Sequence, residues 1–172
     1  MGDPRHLVLV GLMGSGKSAV GRALAERLGR PYVDNDDLLE RRTGRSARDL
    51  AARSGLYALH AEEAAAFGAA LDRREPSVLG APASVVENRA VRDRLQEHDV
   101  VWLAASDETL ADRIESSGDH RPHLGGDLRA ELSRQRRERG PRYEQVASMV
   151  VRNDDRGVDE TVDEIVERLR SA

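Results

Sequence analysis

The tightest constraint on this chain is the octapeptide Gly11-Leu12-Met13-Gly14-Ser15-Gly16-Lys17-Ser18, which fits G-x-x-x-x-G-K-[ST]. Before it, His6-Leu7-Val8-Leu9-Val10 is a short apolar run with β-branched residues and reads as a buried strand. After it, Val20, Leu24 and Leu28 recur every four residues, with Gly29 as a helix stop. A strand, a glycine-rich turn and a helix in this order converge backbone N–H groups on phosphate oxygens, and the helix N-terminus adds its positive dipole. In such a P-loop Lys17 reaches the β- and γ-phosphates and the Ser18 hydroxyl ligates Mg²⁺. Gly14, Ser15, Gly16 and Ala19 complete the predicted nucleotide cradle. The expected cofactors are ATP and Mg²⁺.

Composition supports this. Of 27 Lys plus Arg residues, one is lysine, and it is Lys17. A compact ammonium fits among phosphates where a planar guanidinium does not. The remaining bulk properties exclude other classes. At 172 residues, 39% hydrophobic and 34% charged, the chain suits one soluble domain with a proper core. Its net charge of −4, with both signs interspersed, argues against a nucleic-acid surface. No apolar run approaches the length of a membrane span, and the N-terminus leads straight into the first strand, with no room for a signal peptide. Zero cysteines exclude disulfides and thiolate chemistry. A cytoplasmic monomer acting on a small molecule is expected.

Pro31-Tyr32-Val33 reads as a second strand, ending in Asp34-Asn35-Asp36-Asp37. Carboxylates at the carboxyl end of a strand lie where ligands bind in an open α/β sheet. Asp34 and Asp36 share a face if the extended geometry continues, one serving Mg²⁺ through water and the other accepting a proton from an attacking hydroxyl. The structural alternative is that Asp36 or Asp37 caps the next helix. That helix, Asp37 to Thr43, stops at Gly44. Ser46-Ala47-Arg48-Asp49 opens another, which should stop near Gly55, and a long helix is predicted from about Leu59 to Arg74.

Ser77-Val78-Leu79, Val100 to Ala104 and Met149 to Val151 are the remaining predicted strands. Helices are predicted over Asn88 to His98, from Ser106 to about Ser116, over Leu128 to Arg139, and over Val158 to Arg170. Gly80-Ala81-Pro82-Ala83 is a small-residue turn that lets a ligand approach backbone closely. Ser117 to Asp127, with glycines at both ends, has the composition of a mobile lid carrying Arg121. Five short strands alternating with helices imply an α/β chain with a parallel sheet covered on both faces.

In this order the features resemble the shikimate kinase family, small P-loop kinases related to nucleoside monophosphate kinases. The resemblance rests on the P-loop, Pro31-Tyr32-Val33-Asp34-Asn35-Asp36, Arg42-Thr43-Gly44-Arg45-Ser46, Arg121-Pro122, and Arg139 with Pro141 and Tyr143. It implies a three-layer P-loop kinase fold over residues 1–172, with substrate-binding helices about 36–74 and a lid about 117–127. It implies that Ser18 and Asp34 hold Mg²⁺ and that Asp36 orients and deprotonates the acceptor hydroxyl. Lys17 and Arg121 would stabilise the transferring phosphoryl, Arg139 would grip the acceptor carboxylate, and Arg113 and Arg156 would lie against adenine.

Three positions depart from the family pattern. His60, within Leu59-His60-Ala61-Glu62-Glu63, replaces a second carboxylate-binding arginine. Gly80-Ala81-Pro82 replaces a Gly-Gly-Gly run, and Ala19 replaces a threonine near the α-phosphate. Losing one arm of a desolvated carboxylate clamp costs on the order of 2–4 kcal/mol, roughly thirty- to a thousand-fold in binding. A protonated His60 would recover part of it. The expected reaction is γ-phosphoryl transfer from ATP to an alcohol, shikimate to shikimate 3-phosphate by family resemblance. A different hydroxylated acceptor, or a nucleotide-binding protein without catalysis, stays open at this stage.

Overall fold

The structure, a computed structural model, describes residues 5–118 and 126–171. Five parallel strands form one sheet in the order β2-β3-β1-β4-β5: β1 Leu7–Val10, β2 Tyr32–Asp34, β3 Val78–Gly80, β4 Asp99–Ala104 and β5 Met149–Arg152. The helices are α1 Lys17–Leu28, α2 Asn35–Thr43, α3 Ala47–Leu71, α4 Arg89–Leu95, α5 Asp107–Ser116, α6 Leu128–Val146 and α7 Val158–Ser171. A short 3-10 turn, Val85–Glu87, follows β3 and was not legible in the sequence.

The central strand shows why the sheet is covered on both sides. Val8 and Val10 face one layer with Phe67, Leu95, Leu110, Leu132 and Tyr143, while Leu7 and Leu9 face the other with Val20, Leu24, Val162 and Ile165. Alternate side chains of a strand point to opposite faces, so a strand buried on both must be apolar throughout. The expected three-layer α/β architecture is therefore the one observed. A smaller cluster of Leu39, Leu50 and Leu59 joins α2 to α3 beside the sheet.

Three local expectations are corrected. The extended geometry does not continue past Asp34. Its side chain instead accepts the Asp36 N–H at 2.9 Å and caps α2, which begins at Asn35, so capping falls to Asp34 and not to Asp36 or Asp37. The break near Gly55 exists, with φ 83° and ψ 170°, but it is a kink and not a stop: helix resumes at once and runs to Leu71. The helix expected to end at Arg139 runs on to Val146 with Pro141 inside it. A proline in a helix interior costs about 3 kcal/mol or more. Here the full burial of Tyr143, its hydroxyl's 2.5 Å bond to the Ala83 carbonyl, and the burial of Val146 offset that cost.

Candidate active site

The site lies at the carboxyl ends of β1, β2 and β3. The loop between β1 and α1 turns through Gly11, Gly14 and Gly16, with φ of 149°, 81° and 91°. At Gly11 a side chain is excluded twice, because a Cβ would stand 2.6 Å from the Leu103 carbonyl. The loop is anchored from outside. Asn153 Nδ2 donates to the Ser15 carbonyl at 2.8 Å, and Arg113 donates to the Gly14 carbonyl at 3.4 Å and to the Asn153 carbonyl at 2.6 Å. Lys17 Nζ bridges the Gly11 and Leu12 carbonyls at 2.8 and 3.0 Å.

Asp34 ties the loop to the second strand. Its Oδ2 accepts from Ser18 Oγ at 3.0 Å and from the Tyr32 hydroxyl at 2.8 Å, while Oδ1 caps α2. Burial and the neighbouring Asp34 carboxylate push the Tyr32 phenol well above its ordinary range, so it stays a donor. Tyr32 in turn requires Gly80: a Cβ there would sit 2.6 Å from its hydroxyl oxygen. The glycine predicted to admit a ligand is thus also needed to seat a tyrosine.

Across the cleft, Arg139 is buried, only 6% exposed, and its Nε donates to Glu87 Oε1 at 2.8 Å. His60 Nδ1 lies 3.4 Å from Glu87 Oε2. The hydrogen bond from His60, and then that from Arg139, hold the Glu87 carboxyl down to about 2. Glu63, one helical turn from His60, is buried and accepts from Ser84 Oγ at 2.6 Å; burial pushes its carboxyl above the usual range. Ala81 spends its N–H on the Leu9 carbonyl at 3.0 Å, and Pro82 has none to offer.

These groups line one cleft of about 400 Å³, which takes in Gly14, Gly16, Lys17, Ser18 and Ala19 on one side and Asp36, His60, Glu63 and Arg139 on the other. That volume suits a small-molecule site. Among the described residues, two buried side-chain atoms lack a partner, Ser15 Oγ in the loop and Asn35 Oδ1 in the cleft wall. Such orphans at the cradle fit a ligand that brings its own polar groups. Ser18 and Asp34 offer hard oxygen donors suited to Mg²⁺, and no cluster of three acidic or histidine ligands occurs among the described residues.

The sequence-predicted residues are mostly brought together. Gly80, Ala81 and Arg113 also line the cleft. Arg156 does not; it is half-exposed and pairs with Glu164 on α7. Arg121 and most of the predicted lid lie outside the described residues. Sequence reasoning missed Tyr32, Glu87, Gln135 and Asn153. Only Tyr32, two residues before Asp34 on the same strand face, carried a signal.

A glycine cradle opening a helix, a lysine over it, a serine–aspartate pair and a facing carboxylate and guanidinium define a P-loop phosphotransferase. The family model described as Shikimate kinase matches residues 13–170. The shikimate kinase of Symbiobacterium thermophilum is 42% identical over 169 residues, covering 96% of both chains. That of Mycobacterium tuberculosis is 39% identical over 166 residues, covering 95% of this chain and 92% of the relative. The solved shikimate kinase from Acinetobacter baumannii in complex with shikimate superposes with a TM-score of 0.90 at 25% identity, over 97% of this chain and 93% of that one. This chain belongs to the shikimate kinase family. It is an ATP- and Mg²⁺-dependent phosphotransferase.

Proposed function

We propose that the chain transfers the γ-phosphoryl group of ATP to a hydroxyl of shikimate, giving shikimate 3-phosphate and ADP. The observation that supports this most directly is the convergence of Lys17 and Ser18 with Asp36, His60 and Arg139 in one cleft from four separate elements, α1, α2, α3 and α6. ATP supplies the phosphoryl group and Mg²⁺ neutralises its charge.

The chain's own residues orient the reaction. Ser18 and Asp34, already hydrogen-bonded to each other, hold the metal side of the nucleotide. Loop N–H groups and Lys17 Nζ face the phosphates; Nζ leaves the Gly11 and Leu12 carbonyls to do so. Asp36, exposed in the first turn of α2, takes the proton of the acceptor hydroxyl as its oxygen bonds to γ-phosphorus and the bond to ADP breaks. Arg139 fixes the acceptor carboxylate, with His60 beside it, over a floor of Gly80 and Ala81. Arg113 contributes to the nucleotide side, where it already braces the loop; Arg121 and Arg156 are assigned to nucleotide by family resemblance.

The test is ADP release with Mg·ATP and shikimate, with Lys17→Met as the blank. Lys17-dependent turnover on shikimate is expected. Turnover on another hydroxylated carboxylic acid with none on shikimate would overturn the acceptor assignment, and His60 and Pro82 would then mark the changed pocket.

A further inference from the structure

One group in the acceptor half has no part in the reaction just described. Glu87, at the end of the 3-10 turn, stands between the two basic residues and gives one oxygen to each: Oε1 to Arg139 Nε at 2.8 Å, Oε2 toward His60 Nδ1 at 3.4 Å. Arg139 also gives Nη1 to Gln135 Oε1 at 2.8 Å. The charged and titratable groups around His60 are therefore Glu63 on its own helix, Glu87 from the 3-10 turn and Arg139 from α6, with Asp36 of α2 acting on Glu63 from across the cleft.

This arrangement decides what His60 can offer an acceptor. An imidazole that donates its Nδ1 proton to a carboxylate has two forms. In the neutral form Nε2 carries a lone pair and repels an incoming carboxylate oxygen. In the imidazolium form Nε2 carries a proton and donates to it. Charge balance points the same way: Arg139 is paired with Glu87, and the other neighbours, Glu63 and Asp36, are carboxyls, so a neutral His60 leaves no surplus cation to meet an acceptor anion, whereas an imidazolium supplies one.

We infer that acceptor binding takes up a proton at His60, and that Glu87 is the positioning residue that turns Nδ1 inward and leaves Nε2–H for the acceptor's carboxylate. The inference rests on the reading that the acceptor carries a carboxylate. It makes this site proton-linked, where a pair of arginines would be indifferent to pH.

The experiment is calorimetric titration of the whole protein with shikimate, from about pH 6 to 8.5, in buffers of different ionisation enthalpy. For the wild type, a fraction of a proton is taken up per shikimate bound above about pH 7, and Kd rises by about tenfold or more across the range. His60→Arg is expected to abolish the uptake and flatten Kd against pH. Glu87→Gln is expected to weaken binding about tenfold at pH 7.5 and to reduce the uptake. No proton uptake and a pH-flat Kd in the wild type would overturn the inference, as would wild-type uptake persisting in His60→Gln. Were Glu87→Gln not to fold, the two His60 variants still decide. The reading of the reaction fails separately, if shikimate binds without Lys17-dependent turnover at any pH.

Discussion

The nucleotide half and the acceptor half of the cleft are built on different principles. The nucleotide half is a piece of main chain, held in shape by three positive-φ glycines and by Asn153 and Arg113 bonding its carbonyls from outside. Its cradle is made of peptide N–H groups with Lys17 and Ser18 next to them in the chain, so that core is specified by contiguous sequence. The acceptor half is an assembly of side chains from α2, α3, the 3-10 turn and α6, in which Glu87 of the turn ties α3 to α6. Arg139 is paired internally with Glu87, which also faces His60, and a single substitution at position 60 changes the charge of the site. A backbone site resists drift because its geometry depends on glycine conformations; a side-chain site can be retuned one residue at a time.

The comparison can be broken by substitutions that should act on one half alone. Lys17→Met is expected to have the largest effect, a loss of about a thousandfold in kcat with the fold retained, read by ADP release and thermal melting. A modest loss would mean that the backbone cradle alone carries the phosphoryl chemistry. Asp36→Asn should lower kcat by about a hundredfold or more while nucleotide affinity holds. A matching loss of ATP affinity would instead place Asp36 in the nucleotide half. Arg139→Ala should weaken shikimate binding by on the order of 2–4 kcal/mol, with ATP affinity unchanged, because it removes the buried guanidinium and leaves the half-buried Glu87 with His60 alone.

Smaller effects sharpen the boundary between the halves. Gly80→Ala forces the Tyr32 hydroxyl away and, through it, disturbs Asp34, so a cost of about 1–3 kcal/mol in stability is expected together with weaker Mg²⁺ dependence. The smallest effect lies at the far end of the sheet. His6 Nδ1 accepts the Ser77 N–H at 3.1 Å, and His98 Nδ1 accepts the His6 N–H at 3.3 Å. Burial holds both imidazoles below their ordinary range, so the unfolded chain binds more protons than the folded one. Their stabilisation is therefore complete above about pH 6.5 and declines as pH falls below it. Melting between pH 7.5 and 5.5 should show the decline, and His98→Gln should reduce it without altering either ligand affinity.

How much of this could be read from the chain follows the same division. The octapeptide, the apolar strand before it and the four-residue spacing after it announced the nucleotide half, because strand, loop and helix follow one another without a break in the chain. Gly29, Gly44 and Ser46 ended or opened helices where expected, since capping is local chemistry. The helix after Gly140 was lost from view because Pro141 is a local breaker overruled by a distant contact, Tyr143 on the Ala83 carbonyl. The Asp34–Asn35–Asp36 segment was misplaced because strand and helix meet there, and only the fold shows which carboxylate caps.

By itself the sequence determined a parallel α/β sheet with a phosphate cradle at its carboxyl edge, because periodicity, glycine spacing and one lysine act over short stretches of chain. Only the tertiary structure decided that Arg139 is buried, that Gly80 exists for Tyr32, and that Glu87 couples His60 to Arg139. Those relations join residues far apart in the chain, and packing, not propensity, brings them within hydrogen-bond reach.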